Sequence, residues 1–251
     1  MNSMLLVVSH KPFKCPNIGG YKPIYVGPKK FEINRYAFRD DSGDSIAEKN
    51  PNYCELTALY WFWKNNELHY DYVGLCHYRR YFSKFGITKS PHFYLTNHDI
   101  EKMMEDHEVI LPTRRKIGCS VAENYYVKGH GKKRDLDSLI KIVGELYPEY
   151  VNDFKSTLLM NELSYCNMFV MSYSNYCSYC QWLFDLLFKL EEVTDLTDYT
   201  PAEARIYGYL SEILLNVWVQ KNKLKVKYCD IIQSDISSVL QMKLYIKSKL
   251  K

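Results

Sequence analysis

Residues Ile46 to Phe82 read IAEKNPNYCELTALYWFWKNNELHYDYVGLCHYRRYF, and this stretch decides the predicted fold. Apolar and aromatic residues recur at helical spacing after its polar start, so a helix is predicted from about Tyr53 to Asn65. A short strand, Asp71 to Cys76, follows and runs directly into His77-Tyr78-Arg79-Arg80. Open α/β sheets keep their ligand sites at the carboxyl ends of strands. This polar group therefore marks the predicted site.

Two predicted strand ends carry side chains that suit an anion. Met4 to Val8 is an apolar run that predicts a buried first strand, and His10-Lys11 follow it closely. After the second strand, the adjacent Arg79 and Arg80 would be costly to bury without a carboxylate or phosphate. The guanidinium group is planar and always charged, which suits a diphosphate. We predict an anion site formed by His10, Lys11, His77, Tyr78, Arg79 and Arg80. An ordinary polar loop remains the alternative for His10-Lys11.

The start of the predicted helix adds polar groups to this site. Lys49 and Asn50 precede Pro51, a residue that the first turn of a helix tolerates. Glu55 follows in the first turn, near the positive end of the helix dipole. There it either stabilises the helix end or accepts hydrogen bonds from ligand hydroxyls. The sequence leaves both roles open, and Lys49, Asn50 and Glu55 are all candidates for ligand contact.

The remaining chain alternates strands and helices. Further strands are predicted at 108–112 and 165–171, and helices at 135–147, 150–160, 174–191 and 202–221. Lys225 to Tyr228 alternates like an edge strand. This order predicts an α/β fold with a mostly parallel central sheet and helices on both faces. The Lys-rich tail from Asp235 predicts a helix that either docks on the domain or rests on an acidic membrane surface.

A basic, glycine-dotted loop runs from Arg114 to Arg134 and also holds Tyr125 and His130. Cationic and aromatic groups together suit an acceptor that carries phosphate or sugar. We expect Arg114, Tyr125 and His130 to contact such an acceptor. A solvated basic loop is the alternative.

The composition narrows the class of protein. The 251 residues, 47% of them hydrophobic, suit one large α/β domain. The net charge of +4 is mild, and the basic residues fall mainly in one loop and the tail, which disfavours nucleic-acid binding. The eight cysteines lack zinc spacing and indicate thiols in a reducing cytoplasm. The amino terminus lacks a signal-peptide pattern, and no apolar run approaches the roughly 18 residues of a transmembrane helix.

Two long runs, Glu48 to Trp61 and Asp71 to Phe82, resemble the signature of a known family. Shorter matches lie at Pro23 to Gly27, Arg134 to Asp137, Asn167 to Phe169 and Gly208 to Trp218. The family is a bacterial capsular and exopolysaccharide glycosyltransferase family, long filed as a domain of unknown function. The resemblance covers nearly the whole chain. It implies a GT-A-like fold and, for some members, transfer of galactofuranose from its UDP donor.

The resemblance raises the question of a metal. In GT-A-like domains the strand that ends near the donor usually carries Asp-x-Asp, which holds a divalent cation against the diphosphate. Here the comparable strand ends in His77-Tyr78-Arg79. We therefore predict that no cofactor is needed, because arginine neutralises the leaving UDP directly. The alternative keeps Mn²⁺ or Mg²⁺ on His77 and a carboxylate elsewhere.

An inverting transferase also needs a base that takes the proton of the acceptor hydroxyl, and a carboxylate is the usual choice. By chain order the resemblance points to Glu212, with Glu123 and Asp137 as rivals. It also puts Asn167 on the acceptor side. A structural Glu212 paired with Arg205 is the alternative.

Residues and resemblance together predict a single domain, with 1–112 binding the nucleotide sugar and 113–251 the acceptor. The expected function is transfer of a sugar from a UDP-sugar to a growing capsular, exopolysaccharide or O-antigen oligosaccharide. The acceptor would be lipid-linked, and the protein cytoplasmic, with possible peripheral contact at the inner face of the membrane. No nucleic-acid partner is expected. A non-catalytic nucleotide- or carbohydrate-binding relative is the alternative.

Overall fold

One mixed sheet forms the centre of the molecule. The structure, a computed structural model, describes residues 2–28 and 31–249. Its strands are β1 (Ser3–Ser9), β2 (Tyr21–Tyr25), β3 (Phe38–Arg39), β4 (Tyr72–His77), β5 (Arg80–Ser83), β6 (Val109–Pro112), β7 (Arg115–Lys116), β8 (Glu162–Leu163), β9 (Phe169–Ser172) and β10 (Val226–Gln233). Within the described residues, eight of these strands form one sheet in the order β3-β2-β1-β4-β5-β10-β6-β9, and β7 pairs with β8 separately.

Helices fill most of the connections between strands. They are α1 (Asn50–Tyr53), α2 (Leu56–Asn65), α3 (Asn97–Met104), α4 (Val121–Glu123), α5 (Lys133–Leu146), α6 (Val151–Leu159), α7 (Tyr173–Val193), α8 (Ile206–Lys221) and α9 (Ser238–Lys249). A short π-helix at Asn124–Lys128 continues α4. In the part of the chain that the structure describes, none of the helices has the length and apolarity needed to cross a bilayer.

Three neighbouring parallel strands place their carboxyl ends at one edge of the sheet. β1 lies between β2 and β4, with Ser9 opposite Tyr25 and Val8 opposite His77. The loop after β1 and the turn after β4 therefore lie side by side, as the sequence predicted. Gly74 allows β4 to approach β9 closely, because a Cβ there would lie 2.8 Å from the Phe169 carbonyl oxygen.

The expectation of a mostly parallel sheet is wrong. Only Tyr78 and Arg79 separate β4 from β5, and a connection of two residues forces an antiparallel hairpin, here with His77 paired to Arg80. The pairs β5–β10, β4–β9 and β6–β9 are antiparallel too. Strands β4, β5, β10, β6 and β9 thus close a barrel-like ring beside the parallel strands.

The expected edge strand at Lys225 to Tyr228 is also corrected. It belongs to β10, which runs to Gln233 and lies between β5 and β6. β10 is antiparallel to β5 and parallel to β6. The residues of β10 alternate because the two faces of the strand have different surroundings. They do not alternate because an edge of the strand lacks a hydrogen-bonded neighbour.

Apolar side chains from β1 enter a core on each face of the sheet. Leu6 and Val8 join the core formed with α2 and α5 to α8, whereas Leu5 and Val7 join the core that includes residues of α3. This split follows from the strand period of two residues. Leu5, Leu6 and Val7 have no exposed surface, so helices cover both faces of this strand.

Candidate active site

A cleft of about 550 Å³ opens at the carboxyl ends of β1 and β4. Seven of the nine residues predicted to bind a donor line it: His10, Asn50, Glu55, His77, Tyr78, Arg79 and Arg80. Residues from the second half of the chain complete it, namely Cys166, Arg205, Tyr209 and Glu212. The cleft therefore combines the two predicted halves of the chain in one site.

Four cleft residues that follow β1 and β4 combine positive charge with an aromatic ring, and we call them the cationic cluster: His10, Tyr78, Arg79 and Arg80. The His10 and Tyr78 rings meet edge to face, with 5.5 Å between their centroids. Arg79 forms an ion pair with Asp235 at 3.0 Å, and both side chains are well exposed. Arg80 forms no ion pair with another described residue. Its charge is therefore available to an anion in the cleft.

Two carboxylates, Glu55 and Glu212, lie at the same cleft, and we call them the carboxylate cluster. Glu212 Oε1 accepts a hydrogen bond from the backbone N–H of Cys166 at 3.0 Å. Burial and then the nearby charge of Glu55 raise the pKa of Glu212 from 4.5 to about 7, although Arg115 and Arg80 oppose the shift. Glu212 therefore exchanges its proton near neutral pH, as a general base should.

A left-handed turn at Cys166 and Asn167 holds the carboxylate cluster together. Both residues have positive φ, 77° and 51°, which is uncommon outside glycine. The Asn167 side chain is buried, and its Nδ2 donates to Glu55 Oε1 at 2.8 Å and to the Gly208 carbonyl at 3.0 Å. The turn thus contacts Glu55 through a side chain and Glu212 through the backbone. Strained backbone of this kind concentrates at functional sites.

The same turn fixes the tautomer of His77. Its Nε2 lies 2.7 Å from the Cys166 carbonyl oxygen, so this nitrogen carries the proton and donates it. Burial lowers the pKa of His77, and the charge of Glu55 only partly opposes this effect. His77 is therefore neutral at neutral pH, and its Nδ1 is left as an acceptor.

A helix break brings Glu55 into the cleft. The helix predicted from about Tyr53 to Asn65 begins instead at Leu56, because Cys54 between α1 and α2 adopts φ 54° and ψ −128°. The Cys54 thiol accepts a hydrogen bond from Arg205 Nε at 3.1 Å, and burial raises its pKa to about 11. Gly208 packs against this thiol so closely that a Cβ would lie 3.1 Å from the sulfur. Glu55 is therefore the N-cap residue of α2, but its side chain makes no capping hydrogen bond and accepts one from Asn167 instead.

Helix α8 is fixed so that Glu212 faces the cleft. One turn after Glu212, the amide of Asn216 bonds both the N–H and the carbonyl of Ser164, at 3.1 and 2.9 Å. The suggested ion pair between Glu212 and Arg205 is not formed, since the Arg205 guanidinium donates to Cys54 and lies over the Tyr209 ring. Glu212 therefore lacks the ion pair with Arg205 that was the structural alternative to catalysis.

Several other predicted residues lie outside the cleft. Lys11 lies at its border, with Nζ 5.1 Å from the Tyr78 ring centroid, and Lys49 pairs with Glu191 at 2.6 Å. Glu123 is exposed in the first turn of α4, and Asp137 pairs with Lys133 on the solvent-exposed face of α5. Arg114 pairs with Glu162 at 3.4 Å. These positions give the five residues no contact with the carboxylate cluster.

A smaller cavity of about 100 Å³ adjoins the cleft and shares Tyr209 and Glu212 with it. Tyr125 and His130 line this cavity, as does Tyr165. The Tyr125 hydroxyl donates to Asp135 at 2.8 Å, and the His130 ring lies 5.9 Å from that of Tyr209. Glu212 is therefore common to a large polar cleft and a small aromatic cavity.

Sequence reasoning did not single out Cys54, Cys166 or Tyr209 as site residues. Cys54 and Cys166 act through backbone geometry, and no local pattern marks a cysteine with positive φ. Among the described residues, no group of three or more His, Cys, Asp or Glu side chains has an arrangement that could hold a metal ion.

Residues 4–223 match a family model described as a domain of unknown function, DUF4422. The chain belongs to this family. A solved structure titled as the apo form of the bifunctional glycosyltransferase WbbM is 32% identical, with a TM-score of 0.85. The match covers 94% of this chain and 46% of that chain, so this chain spans about half the length of that protein.

A second solved structure, the mannosyltransferase Ktr4p from S. cerevisiae, is 12% identical over 76% of this chain and 57% of that chain. Its TM-score of 0.29 is too low to support an argument. A comparison with proteins of curated function gives no match.

Proposed function

We propose that this DUF4422 protein is a glycosyltransferase that moves a sugar from a UDP-sugar to a growing capsular, exopolysaccharide or O-antigen oligosaccharide. The observation that carries the proposal is Glu212, a carboxylate with a pKa of about 7 shared by the cationic cleft and the aromatic cavity. The likeness to half of a bifunctional glycosyltransferase supports it. Because WbbM is bifunctional, the similarity supports glycosyl transfer in general and not one of its two activities in particular.

In the proposed reaction the cationic cluster binds the diphosphate of the donor. Arg80, which has no carboxylate partner among the described residues, neutralises the charge that develops on the leaving UDP. His10 and Tyr78 border the same space, and Lys11 adds a positive charge at its edge. Arg79 joins when it exchanges Asp235 for a phosphate.

Glu212 acts as the base. Its carboxylate takes the proton of the acceptor hydroxyl, and the acceptor oxygen forms a bond to the anomeric carbon of the donor sugar. The bond from that carbon to the phosphate oxygen breaks, and its electron pair leaves on UDP. The acceptor sugar lies beside Glu212, with part of it in the small cavity lined by Tyr125 and His130. Aromatic rings suit the apolar faces of sugars.

The finer parts of the proposal rest on the family resemblance. The donor is UDP-galactofuranose, the fold is GT-A-like, and the acceptor is a lipid-linked oligosaccharide met on the cytoplasmic side of the membrane. No metal is needed, since arginine takes the place of a cation at the diphosphate. Full turnover in a chelator is expected. Loss of turnover that manganese restores would overturn the metal-free part alone.

The test is release of UDP from a panel of UDP-sugars, with and without oligosaccharide acceptors. Release from at least one donor by the unmodified chain, and its loss in Glu212→Gln, would support the proposal. Glu123→Gln is the matched control, because Glu123 is an exposed carboxylate outside the cleft. Binding of UDP without turnover of any donor would instead identify a non-catalytic nucleotide-binding relative.

A further inference from the structure

Two arginine–tyrosine pairs lie on the acceptor side of the cleft, and the proposed reaction uses neither arginine. Arg205 lines the large cleft, and its guanidinium carbon lies 5.4 Å from the ring centroid of Tyr209. The guanidinium carbon of Arg115 lies 4.6 Å from the ring centroid of Tyr165. Both tyrosines line the small cavity, as does Glu212. Two stacked cations therefore border the acceptor cavity and the proposed base.

The two guanidinium groups are held in place without being neutralised. Arg205 Nε donates to the Cys54 thiol at 3.1 Å, which leaves the two terminal nitrogens of this group for a ligand. Among the described residues, neither Arg205 nor Arg115 forms an ion pair with a carboxylate. The neighbouring Arg114, by contrast, pairs with Glu162. Stacking on an aromatic ring keeps a guanidinium oriented while the N–H donors at its edge stay open to an anion.

The charge on this side of the cleft changes during the proposed reaction. Glu55 is the acid whose charge acts on Arg205, and Glu212 is the acid on which Arg115 acts. The donor diphosphate neutralises the cationic cluster and not these two arginines. When Glu212 takes the proton of the acceptor hydroxyl, it loses its charge, so two cations then face one carboxylate. A negative group on the acceptor would offset the charge that remains.

We infer that Arg115 and Arg205 bind an oxyanion carried by the acceptor, so that the acceptor is an acidic saccharide. This inference rests on the proposed function, because it names the class of acceptor that the same site takes. Carboxylate and phosphate both present paired oxygens that a guanidinium binds through two N–H groups. Tyr165 and Tyr209 border one cavity together with Glu212. The acid group is therefore expected on the sugar unit that carries the reacting hydroxyl, or on the unit next to it.

The test measures sugar binding to the full chain saturated with UDP, so that the cationic cluster is occupied and does not bind the probe. Titrations followed by NMR compare methyl hexosides of gluco, galacto and manno configuration with the corresponding uronides and with hexose 6-phosphates. At least one acidic sugar should bind about tenfold or more tightly than its neutral counterpart. The two kinds of acid show whether carboxylate or phosphate is preferred. The inference is wrong if no acidic sugar binds more tightly than its neutral counterpart.

Substitutions assign the preference to the two arginines. Arg115→Gln and Arg205→Gln should each reduce the preference for acidic sugars, and the double variant should abolish it. Arg205→Lys should keep part of it, since lysine keeps the charge but not the planar set of donors. Arg35→Gln is the matched control, because Arg35 also lies over a tyrosine ring, 4.8 Å from the centroid of Tyr36, but outside the cleft. A preference that survives in the double variant would overturn the inference.

Two further measurements exclude other roles for Arg115 and Arg205. A marked loss of UDP affinity in either Arg→Gln variant would place that arginine in the donor site and contradict the inference. A shift in the pH at which kcat rises, with the preference for acidic sugars unchanged, would show that the arginines act only on Glu212. Unchanged thermal unfolding shows that the variants fold.

The outcomes separate this inference from the proposed function, because the binding measurement needs no turnover. UDP release by the unmodified chain without a preference for acidic sugars would overturn the inference alone. A preference for acidic sugars without turnover of any donor would overturn the proposed transfer and leave the oxyanion site in place.

Discussion

The cationic cluster and the carboxylate cluster share one cleft but are assembled differently. Tyr78, Arg79 and Arg80 are consecutive, in and just after the turn between β4 and β5, and His10 lies beside them because β1 is paired with β4. Glu55 and Glu212 lie 157 positions apart in the sequence (212 − 55), and the Cys166-Asn167 turn joins them. The cationic cluster is made mostly of residues that are neighbours in the sequence at a strand end. The carboxylate cluster forms only when the folded chain brings distant residues together.

The two clusters also differ in how water reaches them. Arg79 is well exposed, so its charge costs little free energy to solvate. Its guanidinium can therefore readily change its partner from Asp235 to a ligand. Protein surrounds most of the Glu212 carboxylate, so its charge is costly and its pKa rises. The comparison assigns binding of an anion to Arg79 and Arg80 and proton transfer to the largely buried Glu212. The predictions below test that division.

The largest effect is expected from Glu212→Gln. Glutamine keeps the shape but cannot take a proton, so kcat should fall by about 10²- to 10⁴-fold. Affinity for UDP should stay within about twofold, because the substitution leaves the cationic cluster intact. Steady-state UDP release and calorimetric titration measure the two quantities. A variant that loses UDP affinity as strongly as turnover would contradict the division.

Arg80→Gln should weaken UDP binding, which Glu212→Gln leaves intact, and it should also lower kcat, because Arg80 neutralises the charge on the leaving UDP. Loss of a charge-assisted contact to phosphate costs about 1.5–3 kcal/mol, or roughly ten- to hundredfold in UDP affinity. Arg79→Gln should cost less, because Arg79 already has a carboxylate partner. Arg80→Lys should recover only part of the loss, since lysine cannot bind a phosphate bidentately. Equal effects of the two Arg→Gln variants would show that the ion pair with Asp235 does not matter.

The pH profile tests the link between the two acids. A base must be deprotonated, so kcat should rise with pH through the Glu212 pKa of about 7. Glu55→Gln removes the negative charge that hinders ionisation of Glu212, so the rise in kcat should shift to lower pH. Arg80 and Arg115 also act on Glu212 and lower its pKa, so in Arg80→Gln the rise should shift to higher pH. If kcat rises at the same pH in both variants as in the unmodified chain, the group whose ionisation limits kcat is not Glu212.

The smallest effect is on stability. Glu212 holds its proton more tightly in the folded chain, where its pKa is about 7, than in the unfolded chain, where it is near 4.5. The folded chain therefore binds more protons between these values, and its stability falls as pH rises from 4.5 to 7. Above this range Glu212→Gln should stabilise the fold by about 1–3 kcal/mol. Thermal unfolding near pH 8 and near pH 5 should show the gain only at the higher pH, with Glu123→Gln unchanged at both.

The cationic cluster could be read from the sequence because its cause is local. An apolar run such as Met4 to Val8 predicts a strand by its composition, and parallel pairing then brings strand ends together. The polar residues after each strand therefore predicted one site. The same argument failed for the sheet, because the hairpin at Tyr78-Arg79 depends on a turn only two residues long. The ring is closed by the pairing of β9 with β4, which strand composition alone does not show.

The carboxylate cluster could be read only in part. Glu212 was named through the family resemblance and its position in chain order. Its partner Glu55 fell in a predicted continuous helix, because nothing in NPNYCELT marks Cys54 as the point where the backbone turns left-handed. Asn167 was assigned to acceptor contact, whereas its buried amide bonds Glu55 and Gly208. Contacts between distant segments decide both positions, and a local pattern does not record them.

A structure with UDP bound tests the central claim most directly. The account predicts that the diphosphate lies within hydrogen-bond distance of the Arg80 guanidinium, and that Arg79 has turned from Asp235 toward a phosphate. The Glu212 carboxylate should remain free of UDP and bonded to the Cys166 N–H. A diphosphate held away from both arginines by a metal on His77, or UDP bonded to Glu212, would contradict the division of the cleft into an anion-binding cluster and a base.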